Sequence, residues 1–258
     1  MATANTLERI FSVDYKSKIQ PIVSVWKGGR RLENLDYPFG VTIDNPTGDI
    51  YVADWGNNCV KVFDCNGKIM FKFGDEEGEG KMYGPIGSRI GKLGKGDLEF
   101  QYPRGLTFDE SNNEVYICDS HNNRIQILSK ELTYKTQFGQ DNLESPLDVK
   151  LTKEFIYILD RSNPCLHLYN YNLILHKSII SRFLDQLQLK NPWSFYIDNS
   201  NNILIIDYTD ISSSGSISIF NSQFDLIHQI PIAYPTGITV DTTGRVILVC
   251  IGAHLNIY

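Results

Sequence analysis

The chain repeats one phrase five times. The phrase is Pro-x-Gly, an apolar triplet, Asp, a polar turn, and an apolar quartet ending in Asp. The first copy reads Tyr37-Pro-Phe-Gly-Val-Thr-Ile-Asp44, then Gly48-Asp-Ile-Tyr-Val-Ala-Asp54. Later copies occupy residues 102–119, 145–160, 191–207 and 234–250. The prolines Pro103, Pro146, Pro192 and Pro235 are spaced by 43, 46 and 43 residues. Pro38 lies 65 residues before Pro103, so the first unit carries an insertion of about 22. A period of this size calls for stacked copies of one supersecondary unit.

Each unit holds four strand candidates, in the first unit Val41–Ile43, Ile50–Ala53, Val60–Phe63 and Ile69–Phe73. Turns rich in Asn, Asp and Gly separate them, as hairpins require. The second strand is apolar at nearly every position, as in Ile-Tyr-Val-Ala and Val-Tyr-Ile-Cys. A strand apolar on both faces is covered on both faces. The outer strands carry more charge, as in Cys59-Val-Lys-Val-Phe. A four-stranded sheet held between two copies of itself produces this gradient, and radial stacking of such sheets is a β-propeller. A β-sandwich would alternate and lack the period.

The units resemble NHL repeats. The match is best at Asp119-Ser-His-Asn-Asn-Arg-Ile-Gln-Ile-Leu128 with Thr136-Gln-Phe-Gly139, and Asp54-Trp-Gly-Asn-Asn-Cys-Val-Lys-Val-Phe63 is similar. The resemblance spans roughly residues 7–258 and weakens after the second unit, where Asp148 and Ser194 replace the glycine and Cys250 the strand-end Asp. It implies an all-β propeller of four-stranded NHL-type blades. Family members often add a RING and a coiled coil and act in ubiquitin ligation; the five cysteines here do not make a RING.

Residues 1–258 read as a single propeller, with a Gly-rich insertion at 75–101 between the first and second repeats. Two blade lead-ins follow each other there, Gly74–Gly87 and Gly91–Gly105, which points to five blades. The alternative is a six-bladed form with one blade incomplete. Leu7–Val13 and Ile22–Trp26 resemble third and fourth strands, and Ile22–Trp26 is expected to complete the last blade beside His254–Tyr258, which removes an open edge. The insertion lacks Gly-x₄-Gly-Lys-Ser/Thr and no helix follows, so a phosphate loop is not the reading.

Net charge is −6 and pI about 5.4, so no global pull toward nucleic acid or anionic membrane exists. No apolar run approaches the ~18 residues of a membrane span, and the first residues carry no secretory signal. The cysteines (Cys59, Cys65, Cys118, Cys165, Cys250) are odd in number and form no Cys-x-x-Cys pair. A reduced, cytoplasmic, monomeric protein is expected.

Asp recurs at the end of the first strand (Asp44, Asp109, Asp198, Asp241) and of the second (Asp54, Asp119, Asp160, Asp207). A ring of carboxylates could bind a cation, but Asp at a strand end ordinarily accepts N–H bonds of the adjacent turn. The five histidines form no His-x-His or His-Glu pair, and no Gly-x-Ser-x-Gly is present. No cofactor, metal or catalytic residue is expected, and the chain reads as a non-enzyme. Function belongs to positions that vary. After each proline come Phe39, Arg104, Leu147, Trp193 and Thr236; after each second-strand Asp come Trp55, His121, Arg161, Tyr208 and Ile251. Both sets should share one face. The candidate ligand-binding residues are Phe39, Trp55, Arg104, His121, Arg161, Trp193 and Tyr208. Lys27, Arg30, Arg31, Lys81, Arg89, Lys92 and Lys95 could add a basic rim. Aromatics and Arg dominate binding hot spots and also stack on unpaired bases. The leading expectation is a scaffold that binds a protein or peptide. Single-stranded RNA is the alternative, and a metal-dependent hydrolase or lyase a third reading.

Overall fold

A computed structural model describes residues 35–65, 68–70, 89–162, 165–179, 191–210, 214–233, 235–240, 246–250 and 254–257. Their strands form five antiparallel sheets, each a meander in chain order. The first holds β1 (Pro38–Asp44), β2 (Asp49–Asp54), β3 (Cys59–Phe63) and β4 (Arg89–Ile90). The second holds β5 (Pro103–Asp109), β6 (Glu114–Asp119), β7 (Arg124–Ser129) and β8 (Tyr134–Phe138). The third holds β9 (Pro146–Leu151), β10 (Ile156–Asp160), β11 (Cys165–Tyr169) and β12 (Leu175–Ile179). The fourth holds β13 (Pro192–Ile197), β14 (Ile203–Asp210), β15 (Ser214–Phe220) and β16 (Leu226–Ala233). The fifth has three strands, β17 (Pro235–Val240), β18 (Val246–Cys250) and β19 (His254–Ile257). The segment expected to complete it, Ile22–Trp26, and the third-strand candidate Leu7–Val13 lie outside the described residues. The described residues divide into two compact units, 35–178 with three sheets and 179–257 with two.

Within the larger unit the sheets pack as blades. β6 sends Val115 and Ile117 into a core shared with Tyr51, Ala53, Val60 and Val62 of the first sheet. Its alternate residues, Tyr116 and Cys118, enter a second core with Val149, Ile156, Ile158 and Tyr169 of the third. Alternation along a strand aims successive side chains at opposite faces, so a continuous apolar run serves two interfaces. Each fully buried Ile or Leu contributes about 1.5–3 kcal/mol. The third strand is as buried as the second, which corrects the expected outward gradient of charge: every residue of β3, β7 and β11 is buried. Lys61 in β3 is tolerated there because its Nζ lies 2.6 Å from Asp54 Oδ2.

The fourth strand of the first sheet is made in two pieces. Ile69 bridges Phe63 and Met70 N–H donates to Val62 O, and then Arg89–Ile90 pairs with Lys61 and Val60. Residues 71–73, read from the sequence as part of this strand, lie outside the described residues.

The repeated glycine answers a packing demand. A Cβ on Gly40 would stand 2.5 Å from Arg104 O of the neighbouring first strand, and one on Gly105 would stand 2.5 Å from Asp148 Cα. First strands of successive blades therefore touch backbone to backbone. Asp148 and Ser194 fill the same repeat position where the glycine is absent.

The repeated aspartates are staples. The second-strand carboxylates accept N–H bonds from the chain that leads into their own blade. Asp36 N–H donates to Asp54 (2.7 Å), Gln101 to Asp119 (2.7 Å), Glu144 to Asp160 (2.8 Å) and Asn191 to Asp207 (2.8 Å). The first-strand carboxylates close the following turns: Asp109 accepts from Ser111 N–H and Asp198 from Ser200 N–H. Arg124 saturates its site, with Nε 2.7 Å from Asp119 and both Nη atoms donating to carbonyls of Lys95, Gly96 and Glu99. This pair is nearly solvent-free, at 2% and 0% exposure.

Gly40→Ala is expected to destabilise the chain by about 1–3 kcal/mol, because the obstructing atom is backbone; urea unfolding measures it. Asp119→Ala strands the buried Arg124 charge and should cost about 3–5 kcal/mol. Asp160→Ala, which loses N–H bonds rather than a guanidinium partner, should cost only about 1–3 kcal/mol in the same measurement.

Candidate functional site

Each proline pairs with the last residue of the second strand: Pro38 with Asp54, Pro103 with Asp119, Pro146 with Asp160, Pro192 with Asp207 and Pro235 with Cys250. The register then slips, and the residue after the proline is skipped in the strand register. These bulge residues are Phe39, Arg104 (with Gly105), Leu147, Trp193 and Thr236. A β-bulge re-aims a side chain out of the ladder. The variable residue after each proline is thus set apart from the sheet by the local geometry of its own repeat.

The other variable set begins where the second strand ends. In the first two blades the chain enters a short 3₁₀ turn, Trp55–Asn57 and Ser120–Asn122, closed by Asn58 (φ 50°) and Asn123 (φ 56°) in the left-handed region. Asn tolerates this conformation better than most residues. The backbone N–H of Gly56, His121, Arg161 and Tyr208 each donates to a carbonyl of the blade lead-in, at 2.8–3.1 Å. Asn58 Oδ1 also accepts from Tyr102 N–H (2.8 Å), tying the first blade's turn to the second blade's lead-in.

In the larger unit this brings four rings into a row. Tyr37 and Trp55 have centroids 6.1 Å apart, Trp55 and Tyr102 4.6 Å, and Tyr102 and His121 4.4 Å. Tyr37 and His121 are exposed, and Trp55 and Tyr102 half-buried. Two of the four, Tyr37 and Tyr102, were not among the sequence candidates. They precede Pro38 and Pro103 and read as part of the shared phrase, although the recurrence of Tyr at 37, 102 and 234 was a signal. Both adopt positive φ, 49° and 54°.

Arg104 is buried, with 7% exposure, and its Cζ lies 5.2 Å from the centroid of the half-buried Phe39 ring. Burial, then the charge of Arg161, pushes its pKa down to about 10, so it stays charged at neutral pH. The His121 pKa is lowered by burial and then by Arg104. Arg161 is half-buried at the end of β10.

In the smaller unit Trp193 and Tyr208 meet edge to face at 5.7 Å. Tyr208 was expected in a polar turn. It is instead buried (7%) within β14, because that strand runs on to Asp210 and pairs Tyr208 with Gly215. Of the expected basic rim, Lys27, Arg30, Arg31 and Lys81 lie outside the described residues. Lys92 is paired with Glu99 at 2.9 Å, and Arg89 lies in β4.

One further group invites a catalytic reading. Cys165 Sγ lies 2.8 Å from His167 Nε2, and His167 Nδ1 lies 2.9 Å from Ser178 Oγ. Burial pushes the thiol up to about 12, helped by Asp160 and Glu144, so it is a neutral thiol at physiological pH. By register Cys165 occupies the position of Cys59 and Arg124, opposite the strand-end Asp.

An NHL repeat model matches residues 35–63 and 100–128, the first two blades up to the third strand. NHL repeat-containing protein 2 of Bos taurus is 33% identical over 97 residues, covering 38% of this chain and 12% of that protein. Protein brain tumor of Drosophila melanogaster is 25% identical over 151 residues, covering 57% of this chain and 13% of that protein. The chain thus aligns with only about an eighth of the length of these relatives. Among solved structures, one from a nidogen/laminin complex superposes with a TM-score of 0.60 at 16% identity, covering 84% of this chain and 73% of that one. The likeness shows the fold, an all-β propeller. The matches to two of its repeats and the blade architecture together make this chain similar to the NHL-repeat propellers.

Proposed function

We propose that the chain is a non-catalytic interaction module that takes a protein or peptide partner on the strand-end face carrying the variable residues. The observation that supports this reading most is the row Tyr37–Trp55–Tyr102–His121, an aromatic surface left partly open at the loop end of two blades. Rigid rings with polar edges bind at low entropic cost, and together with Arg they dominate hot spots. Arg104 and Arg161 belong to the same end of their blades. The solved nidogen/laminin complex is a precedent for this fold in protein recognition.

A non-catalytic role agrees with the protonated Cys165, which is no ready nucleophile. Single-stranded RNA is the second reading, because spaced rings can stack on successive bases.

Peptides selected on the full chain from a displayed random library should lose at least tenfold in affinity on Trp55→Ala, with the melting temperature unchanged. Retention of affinity by Trp55→Ala would remove this face from the proposal. A randomised single-stranded RNA pool should give no mobility shift at low salt. A shift that falls steeply with salt and disappears in Trp55→Ala/Arg104→Ala would transfer the face to RNA. Native protein treated with iodoacetamide at pH 8 should be modified at the exposed Cys65, whereas Cys59, Cys118 and Cys165 should react only after unfolding; peptide mass mapping reads this.

A further inference from the structure

Among the described residues of the larger unit, Arg104 is a buried cation whose charge is poorly met. Lys61 and Arg124 each contact a carboxylate at 2.6 and 2.7 Å. Arg104 forms no ion pair among the described residues, and its Nε and Nη1 have no hydrogen-bond partner. A buried guanidinium without partners is costly and is retained only where something compensates it. The acids at this end of the second and third blades are already engaged. Asp119 is held by Arg124 and Gln101 N–H, Asp148 by Lys150 at 2.9 Å, and Asp160 by the N–H groups of Glu144, Ser145 and Ser162. The ring of Phe39 covers the guanidinium without neutralising it. Arg161 and His121 lie close enough to act on Arg104 electrostatically or to be acted on by it, and they add to the positive field.

We propose that Arg104 anchors a carboxylate-binding subsite, in which an Asp or Glu side chain of a bound peptide pairs with its guanidinium beside Arg161 and His121. The subsite rests on the peptide-binding reading of this face and specifies the chemistry of the partner. Phe39 sits at a bulge in the strand register and is the ring an incoming acid displaces. Tyr102 stands two residues before Arg104 and joins the aromatic row, so the acid is accompanied by an aromatic or apolar neighbour. A single carboxylate suits the site better than a polyphosphate. Three ionisable acids surround the same strand ends, and the chain is net −6, so a polyanion meets repulsion that one buried charge pair avoids.

The test is an ¹H–¹⁵N spectrum of arginine Nε–H groups in the full chain, with Arg104 assigned through Arg104→Lys. Titration with N-acetyl-glutamate α-amide should shift the Arg104 resonance in the millimolar range, and N-acetyl-glutamine α-amide should not. Phe39→Ala should tighten the glutamate probe severalfold. Arg104→Met should abolish its binding without lowering the melting temperature, since a neutral chain of similar length replaces an uncompensated charge. No shift with the glutamate probe overturns the proposal. So does a response confined to inorganic phosphate and a uridine hexanucleotide. For peptides selected on the wild type, replacing the acidic residue by its amide should weaken binding at least tenfold. If that change is silent while Trp55→Ala still abolishes binding, the subsite falls and the face survives. If no peptide binds yet the glutamate probe shifts Arg104, the subsite stands and the wider reading falls.

Discussion

The buried strand-end carboxylate holds the rest of the structure together. At Asp54, Asp119, Asp160 and Asp207 one side chain ties the end of the second strand to the chain that leads into the same blade. Without that bond the part-buried lead-in N–H groups would lose their protein acceptor. What balances the buried charge differs from blade to blade. Arg124 meets Asp119 directly from the residue opposite it, Lys61 reaches Asp54 from two residues further on, and Asp160 is met by N–H donors. One architectural rule is therefore satisfied by different residues at different positions.

The staple also sets up the strand-end surface. Because proline pairs with the strand-end Asp, the following residue falls in a bulge, and the glycine after it lets the next first strand approach. Shared residues thereby place the unshared ones. Phe39 and Arg104 emerge from equivalent bulges, and Trp55 and His121 from equivalent turns. The contact of Arg104 with Phe39 and the row from Tyr37 to His121 both cross from one blade to the next. A surface of this kind can change its ligand by changing side chains without disturbing the blade.

Much of this was legible in the chain, and the failures are instructive. The structural role of the aspartates followed from their recurrence in every unit. Tyr208 lies in a strand and not in the expected polar turn, because a strand can outrun its motif when its neighbour offers more backbone to pair with, as Gly215 and Ser214 do. Lys61 misled for a different reason: a lysine in a strand reads as solvent-facing unless its ion-pair partner, Asp54, is known to be within reach. Tyr37 and Tyr102 escaped because a residue common to several repeats looks architectural, yet a shared position can also join an aromatic row at the surface.

Taken alone, the sequence determined the all-β class, the four-stranded unit and the division of residues into shared and variable. Those properties are periodic and local, so spacing and strand patterning contain them. Only the tertiary structure decided which variable residues meet: that Arg104 is sealed beneath Phe39, that its nearby acids are already occupied, and that four rings from two blades align. Such facts depend on contacts between blades about 65 residues apart in sequence. Local propensity carries no information about which partner a buried charge will find, or fail to find, across that distance.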